Sequence, residues 1–206
     1  MKTITALTVQ EKNKKRVNVF LDGEFYRGIG LLVVMSERLK VGDAIDEKRL
    51  AELAEKDDFS TAFERSLDYI SRSMKTKAQI AGYLKKKEYD GRVIARVIDK
   101  LSEYGYVDDD LYAARFIESR AQKEGKRKMA LELRAKGVDR AIIDGALENA
   151  PSEDDGCDYI AKKYLKGRPL DYELKQKCFR YLIGKGFGYD VARDVLERIE
   201  RNDEDN

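Results

Sequence analysis

Near the start of the chain Val17, Val19 and Leu21 are interleaved with Arg16, Asn18 and Phe20, and Asp22-Gly23 then leads into Glu24, Phe25 and Tyr26. A two-residue Asp-Gly connection between strand-like runs favours a type I′ turn, because both central positions need positive φ, so a β-hairpin is predicted here. Residues 4–9 predict a third strand. Over residues 31–39 and again over 47–55 apolar positions recur at helical spacing, with Gly42 between the two stretches. A small β-rich segment carrying two short helices is therefore expected over residues 1–58.

Beyond Asp57-Asp58 the periodicity is helical throughout, and the prolines, Pro151 and Pro169, fall at breaks between helices. An internal repeat dominates this part. Leu84-Lys85-Lys86-Lys87-Glu88-Tyr89, Leu133-Arg134-Ala135-Lys136-Gly137-Val138 and Leu182-Ile183-Gly184-Lys185-Gly186-Phe187 stand in register, the step from 84 to 133 and from 133 to 182 being 49 in each case. The same step aligns Val93, Ile142 and Val191, then Val97, Ala146 and Val195, then Ile98, Leu147 and Leu196, which makes one apolar helix stripe three times over. An earlier helix precedes each copy at Asp68-Tyr69-Ile70, Arg115-Phe116-Ile117 and Asp158-Tyr159-Ile160.

The unit is thus helix, helix, helix, with repeats expected over 59–108, 109–151 and 152–200 and an acidic tail over 201–206. Thr76 and Gln79 have capping-box spacing for the second helix of the first repeat, and Asp90 and Asp139 stand where third helices need N-caps. Gly137 and Gly186 can adopt the left-handed conformation that ends a second helix, whereas Glu88 at the matching place makes that turn costlier. The expected fold class is mainly α, three tandem three-helix repeats in an elongated curved array behind a hairpin-containing N-terminal segment. Arrays of this kind bury apolar surface between neighbours and present extended faces to large partners.

Composition narrows the chemistry. The 206 residues contain no histidine, which removes the commonest general base and metal ligand and every His-dependent triad. There is no G-x-x-x-x-G-K-[ST] loop, and Gly184, Gly186 and Gly188 around Lys185 follow a helical run, so they read as a helix-ending turn. Cys157 and Cys178 lack the partners of a zinc site or disulfide framework and read as reduced helix residues. Asp108-Asp109-Asp110 could form a cation-binding or acid-base cluster, but a helix N-terminus capped by one of them is the simpler reading. No cofactor, metal or catalytic residue is expected. With no run of about 18 apolar residues and no secretory signal, a cytoplasmic, monomeric protein without membrane contact is expected.

Charge matters through its distribution, since 41 Lys+Arg nearly balance 39 Asp+Glu. Residues 72–87 include Arg72, Lys75, Lys77, Lys85, Lys86 and Lys87 with no carboxylate. Residues 120–136 include Arg120, Lys126, Arg127, Lys128, Arg134 and Lys136 against Glu124 and Glu132, and residues 162–185, ending in Lys185, are basic again. Positive charge falls each time on the second helix and its approach, and acidic stretches such as 108–110 and 144–158 fall near the joints. Three stacked copies would align these blocks into a basic stripe suited to an acidic polymer or filament. The tyrosines at 69, 83, 104, 106, 112 and 181 read as packing residues in preference to base-stacking platforms.

The run Leu101-Ser102-Glu103-Tyr104-Gly105-Tyr106-Val107-Asp108-Asp109, followed by Tyr112-Ala113, Phe116 and Arg120, resembles the RecX family signature. So do Gly125, Met129, Glu132-Leu133 and Lys136-Gly137-Val138, the first-repeat run around Arg72 and residues 80–87, and the hairpin over residues 16–28. The chain departs from the pattern at Tyr104, Tyr112 and Glu88. The resemblance implies a protein that binds the RecA recombinase filament in its groove and modulates it, typically restraining filament growth, strand exchange and co-protease activity in DNA repair, homologous recombination and the SOS response. The recombinase would then supply the nucleotide chemistry, and the basic residues named above would be the partner-binding set, for the filament or for single- or double-stranded DNA. The residues by themselves leave open a direct nucleic-acid binder with no recombinase partner and a helical scaffold for another protein.

Overall fold

The computed structural model describes residues 1–168 and 170–204. Pro169, the second expected helix break, and Asp205 and Asn206 of the expected acidic tail lie outside them. Contacts divide the chain into two units, one holding Met1–Met74 with Ile80–Val107, the other holding Lys75–Gln79 and the chain from Asp108 onward.

In the first unit, strands β1 (Lys2–Val9), β2 (Arg16–Leu21), β3 (Glu24–Gly30) and β4 (Ala44–Ile45) form an antiparallel sheet in the order β3-β2-β1-β4. Asp22 and Gly23 take φ of 49° and 87°, as the predicted hairpin turn demands. Period-2 alternation places Ile4, Val17, Val19, Leu21 and Ile29 on one face, where they pack with Val33 and Val34 of α1 (Leu31–Ser36) and with Leu50 and Leu53 of α2 (Glu47–Ile70).

The α2 helix corrects the expectation of a short helix and a break at Asp57-Asp58: it runs unbroken for 24 residues from an Asp46 cap that accepts from the Arg49 N–H at 2.7 Å. Neither glycine nor proline interrupts it, and Asp57 is not a solvated turn residue. It is 1% exposed and accepts hydrogen bonds from Arg16 at 2.9 Å, from Arg27 at 3.3 Å and from the Gly30 N–H at 2.6 Å, while Asp58 takes Arg27 at 2.9 Å. One half of α2 covers the sheet and the other, through Ala62, enters the core of the first repeat. Asp57→Ala would strand the Gly30 N–H and remove a buried carboxylate from Arg16 and Arg27, which keep Thr61 and Asp58 as partners, so a loss of about 2–3 kcal/mol is expected in urea unfolding.

That first repeat is completed by Ile80 and Leu84 of α3 (Lys77–Lys85) and by Val93, Ile94, Val97 and Leu101 of α4 (Gly91–Glu103). In the second unit, α5 (Asp109–Arg120), α6 (Lys126–Ala135) and α7 (Arg140–Glu148) enclose Phe116, Ile117, Met129, Leu133 and Ile143. There too α8 (Glu153–Leu165), α9 (Tyr172–Gly184) and α10 (Tyr189–Glu204) enclose Ile160, Leu182, Phe187, Val195 and Leu196. The expected caps form: Thr76 and Gln79 bond reciprocally at 3.1 Å, and Asp90 and Asp139 each accept at 2.8 Å from the N–H two residues on. Gly137, Gly186 and Glu88 take φ of 79°, 91° and 63°, so a non-glycine residue does hold the costlier turn. The stripe is not buried uniformly: α7 buries Ile143 and leaves Ile142, Ala146 and Leu147 half-buried, and Ile98 in α4 and Val191 in α10 are half-buried too.

Candidate functional site

The C-terminal end of each second helix carries the negative end of the helix dipole and attracts cations there. Lys85, Lys86 and Lys87 close α3 in the first unit, Arg134 and Lys136 close α6, and Lys185 closes α9. Helix-end electrostatics therefore accounts for part of the recurring charge. Exposure and pairing sort the rest.

In the first unit Arg72, Lys85, Lys86 and Lys87 are all exposed, and no carboxylate lies within ion-pair distance of them among the described residues. In the second unit Lys77, Arg127 and Arg134 are exposed and likewise without a carboxylate partner among the described residues, and Lys75 is half-buried. Arg120 and Lys128 are engaged internally. Arg120 bonds Glu124 at 3.1 Å and Glu132 at 2.7 Å with its guanidinium 4.5 Å from the Phe116 ring centre, and Lys128 bonds Glu124 at 2.8 Å. Burial alone would raise the Glu124 carboxyl, but hydrogen bonds from Lys128 and Arg120 outweigh it and hold the group below its usual range. Lys136 and Lys185 lie 5.8 Å and 5.3 Å from the ring centres of Phe116 and Tyr181.

The second unit brings some of these residues together at two equivalent joints. The Thr76 hydroxyl donates to the Lys136 carbonyl at 2.7 Å, and the Gly125 N–H donates to the Lys185 carbonyl at 3.0 Å, so the start of one second helix meets the end of the next. Lys77 and Lys136 thereby share one joint, Lys126 and Lys185 the other. A carboxylate from the first residue of a following helix completes each: Asp109 accepts from the Lys77 N–H at 2.9 Å and Glu153 from the Lys126 N–H at 2.7 Å. Of the acidic triplet, Asp108 caps its own helix through the Leu111 N–H at 2.9 Å, as expected, while Asp109 is buried at the joint. The role of Asp109 and Glu153 escapes local sequence rules because each carboxylate caps a helix 32 or 27 positions away; its only trace is that both open a first helix.

Burial pushes the Cys157 thiol up to about 12, with Cys178 and nearby carboxylates adding to it, and burial pushes Cys178 up to about 11, so both stay protonated. Among the described residues no cluster of three or more Cys, Asp or Glu side chains could hold a metal, and no helix is long and apolar enough to cross a membrane.

Comparison with known proteins bears on the same elements. The regulatory protein RecX N-terminal domain model matches residues 2–46, and the RecX first, second and third three-helix domain models match residues 62–101, 108–147 and 157–196. Regulatory protein RecX of Clostridium botulinum (strain Alaska E43 / Type E3) is 34% identical over 203 residues, covering 96% of both chains. This chain belongs to the RecX family.

Regulatory protein RecX of Bacillus subtilis (strain 168) is 35% identical, the match covering all of this chain and 80% of the relative. A crystal structure of regulatory protein RecX superposes with a TM-score of 0.74 at 27% identity over 96% of this chain and 100% of the other. A RecX structure from Lactobacillus salivarius shares the fold, with a TM-score of 0.65 at 23% identity over 70% of this chain and 98% of the other. The basic residues at the ends of α3, α6 and α9 thus lie within the segments matched by the RecX three-helix domain models.

Proposed function

We propose that this chain regulates the RecA recombinase by binding its filament on DNA and restraining its activity, within DNA repair and recombination in the cytoplasm. It acts by contact, and the recombinase carries the nucleotide chemistry. The observation that carries this reading is the recurrence, at the ends of α3 and α6, of exposed cations with no internal partner: Lys85, Lys86 and Lys87 in one unit and Arg134 in the other, joined by Arg127. Unpaired charge at repeated places costs self-repulsion and is supported by an anionic partner. The resemblance to the RecX family signature supports the recombinase filament as that partner.

Recombinase ATP hydrolysis on single-stranded DNA, followed with and without the full chain, tests the reading. A dose-dependent fall in rate is expected at moderate salt, and an unchanged rate at saturating chain would overturn it. Direct nucleic-acid binding is the second reading, favoured by the same unpaired cations. It requires binding to bare DNA that weakens steeply with salt when no recombinase is present.

A further inference from the structure

A second feature of the RecX fold here is neither basic nor internal. In the second unit a groove of about 750 Å³ runs between α5 and α7 and reaches the start of α8. Its floor is formed by Ala114, Ile117, Ala121, Ile142, Gly145 and Ala146, and its rim carries Asp110, Glu118 and Asp155. Ile142 and Ala146 are stripe positions that α7 leaves half-buried, and here they open onto the groove.

The 49-residue register shows what is missing. Ala141, Gly145 and Asn149 on the outer face of α7 correspond to Arg92, Arg96 and Lys100 in the first repeat and to Asp190, Asp194 and Arg198 in the third. In the first repeat Arg96 and Lys100 lie 5.0 Å and 4.5 Å from the ring centres of Phe59 and Tyr104 and so cover aromatic surface. The middle repeat replaces such long side chains by nothing larger than an asparagine. Gly145 is costly within a helix, yet a Cβ built there would meet nothing within 4 Å. By contrast, a Cβ on Gly156 at the end of the groove would sit 2.5 Å from the Ala121 carbonyl, so that glycine is required by packing. Gly145 thus leaves open space on the groove floor, as Gly82 and Gly184 do on α3 and α9, and an external backbone has room to approach it closely.

From this we infer that the α5–α7 groove is the docking site for a basic amphipathic helix of a partner protein. The small floor residues admit its apolar ridge, and Asp110 and Asp155, which have no cationic partner among the described residues, pair with lysine or arginine at its flanks, Glu118 being already bonded to Arg115 at 3.1 Å. Charge decides the class of occupant. Nucleic acid and acidic peptides are repelled by the rim, and the apolar floor gives a small cation alone little to hold. The proposal stands apart from the recombinase reading, since groove and basic surface have opposite sign.

The test is an NMR titration of the full chain with two synthetic amphipathic helices, leucine at i and i+4 in both, flanked by lysine in one and glutamate in the other. The lysine peptide should shift the amides of Ala114, Ala141 and Gly145 saturably, and the glutamate peptide should not. Gly145→Arg, which restores the residue type of the first repeat, should weaken the lysine peptide about tenfold or more. Gly145→Ala should raise the melting temperature and still weaken binding, separating the docking role from folding. The inference is overturned if the lysine peptide gives no saturable shift at these amides, if the glutamate peptide binds equally, or if Gly145→Arg leaves the affinity unchanged. Peptide binding by a chain without effect on the recombinase would uphold the groove and sink the reading of the previous section.

Discussion

Leu133→Ala and Leu182→Ala each lower stability by about 2–5 kcal/mol, read as a shift of the urea midpoint. Both leucines have no exposed surface, as does Leu84 in the first repeat, and each stands at the centre of its own core cluster. Removing three carbons from such a site costs the transfer free energy of the lost atoms and leaves a cavity that the surrounding helices fill only in part. The control is Leu131, two positions from Leu133 on the same helix but 66% exposed, whose replacement by alanine should change stability by less than about 0.5 kcal/mol. The contrast between two leucines two positions apart tests the register directly. Unchanged midpoints at Leu133 and Leu182 would mean that the 49-residue alignment does not mark the buried sites.

What the sequence made legible follows the range of the interaction involved. The hairpin, the Thr76–Gln79 capping box, the Asp90 and Asp139 caps and the turns at Glu88, Gly137 and Gly186 are fixed by residues within a few positions of one another, and all form as expected. The repeat register was legible because the same local pattern recurs three times. What stayed hidden is long-range. Asp57 looks like a turn residue until Arg16 and Arg27 arrive from strands 41 and 30 positions away, and a helix that should have broken there continues. Glu124 and Glu132 engage Arg120 and Lys128, so part of the block that reads as a basic surface is ion-paired within the unit. The α5–α7 groove is legible only in hindsight, as a row of small side chains at Ala141, Gly145 and Asn149 where the first repeat carries Arg92, Arg96 and Lys100.

Charge reversal at Lys85, Lys86 and Lys87 should do to association what the leucine changes do to folding. With the three replaced together by glutamate, the affinity for a RecA filament on single-stranded DNA is expected to fall about 100-fold at moderate salt. The three side chains are exposed and have no carboxylate partner among the described residues, so the native fold gains little from them beyond favourable contact with the end of α3. Reversal costs only that contact, and the melting temperature should move by no more than a few degrees. If the partner is the anionic filament proposed above, however, three attractions become three repulsions at once. The salt dependence should change in the same experiment, because the variant has fewer counterions to release on binding. Filament co-sedimentation across a salt series reads affinity and slope together. Wild-type affinity in the variant, with an unaltered slope, would place the partner contact elsewhere on the chain, whereas loss of affinity accompanied by a collapsed melting transition would show that the lysines serve the fold.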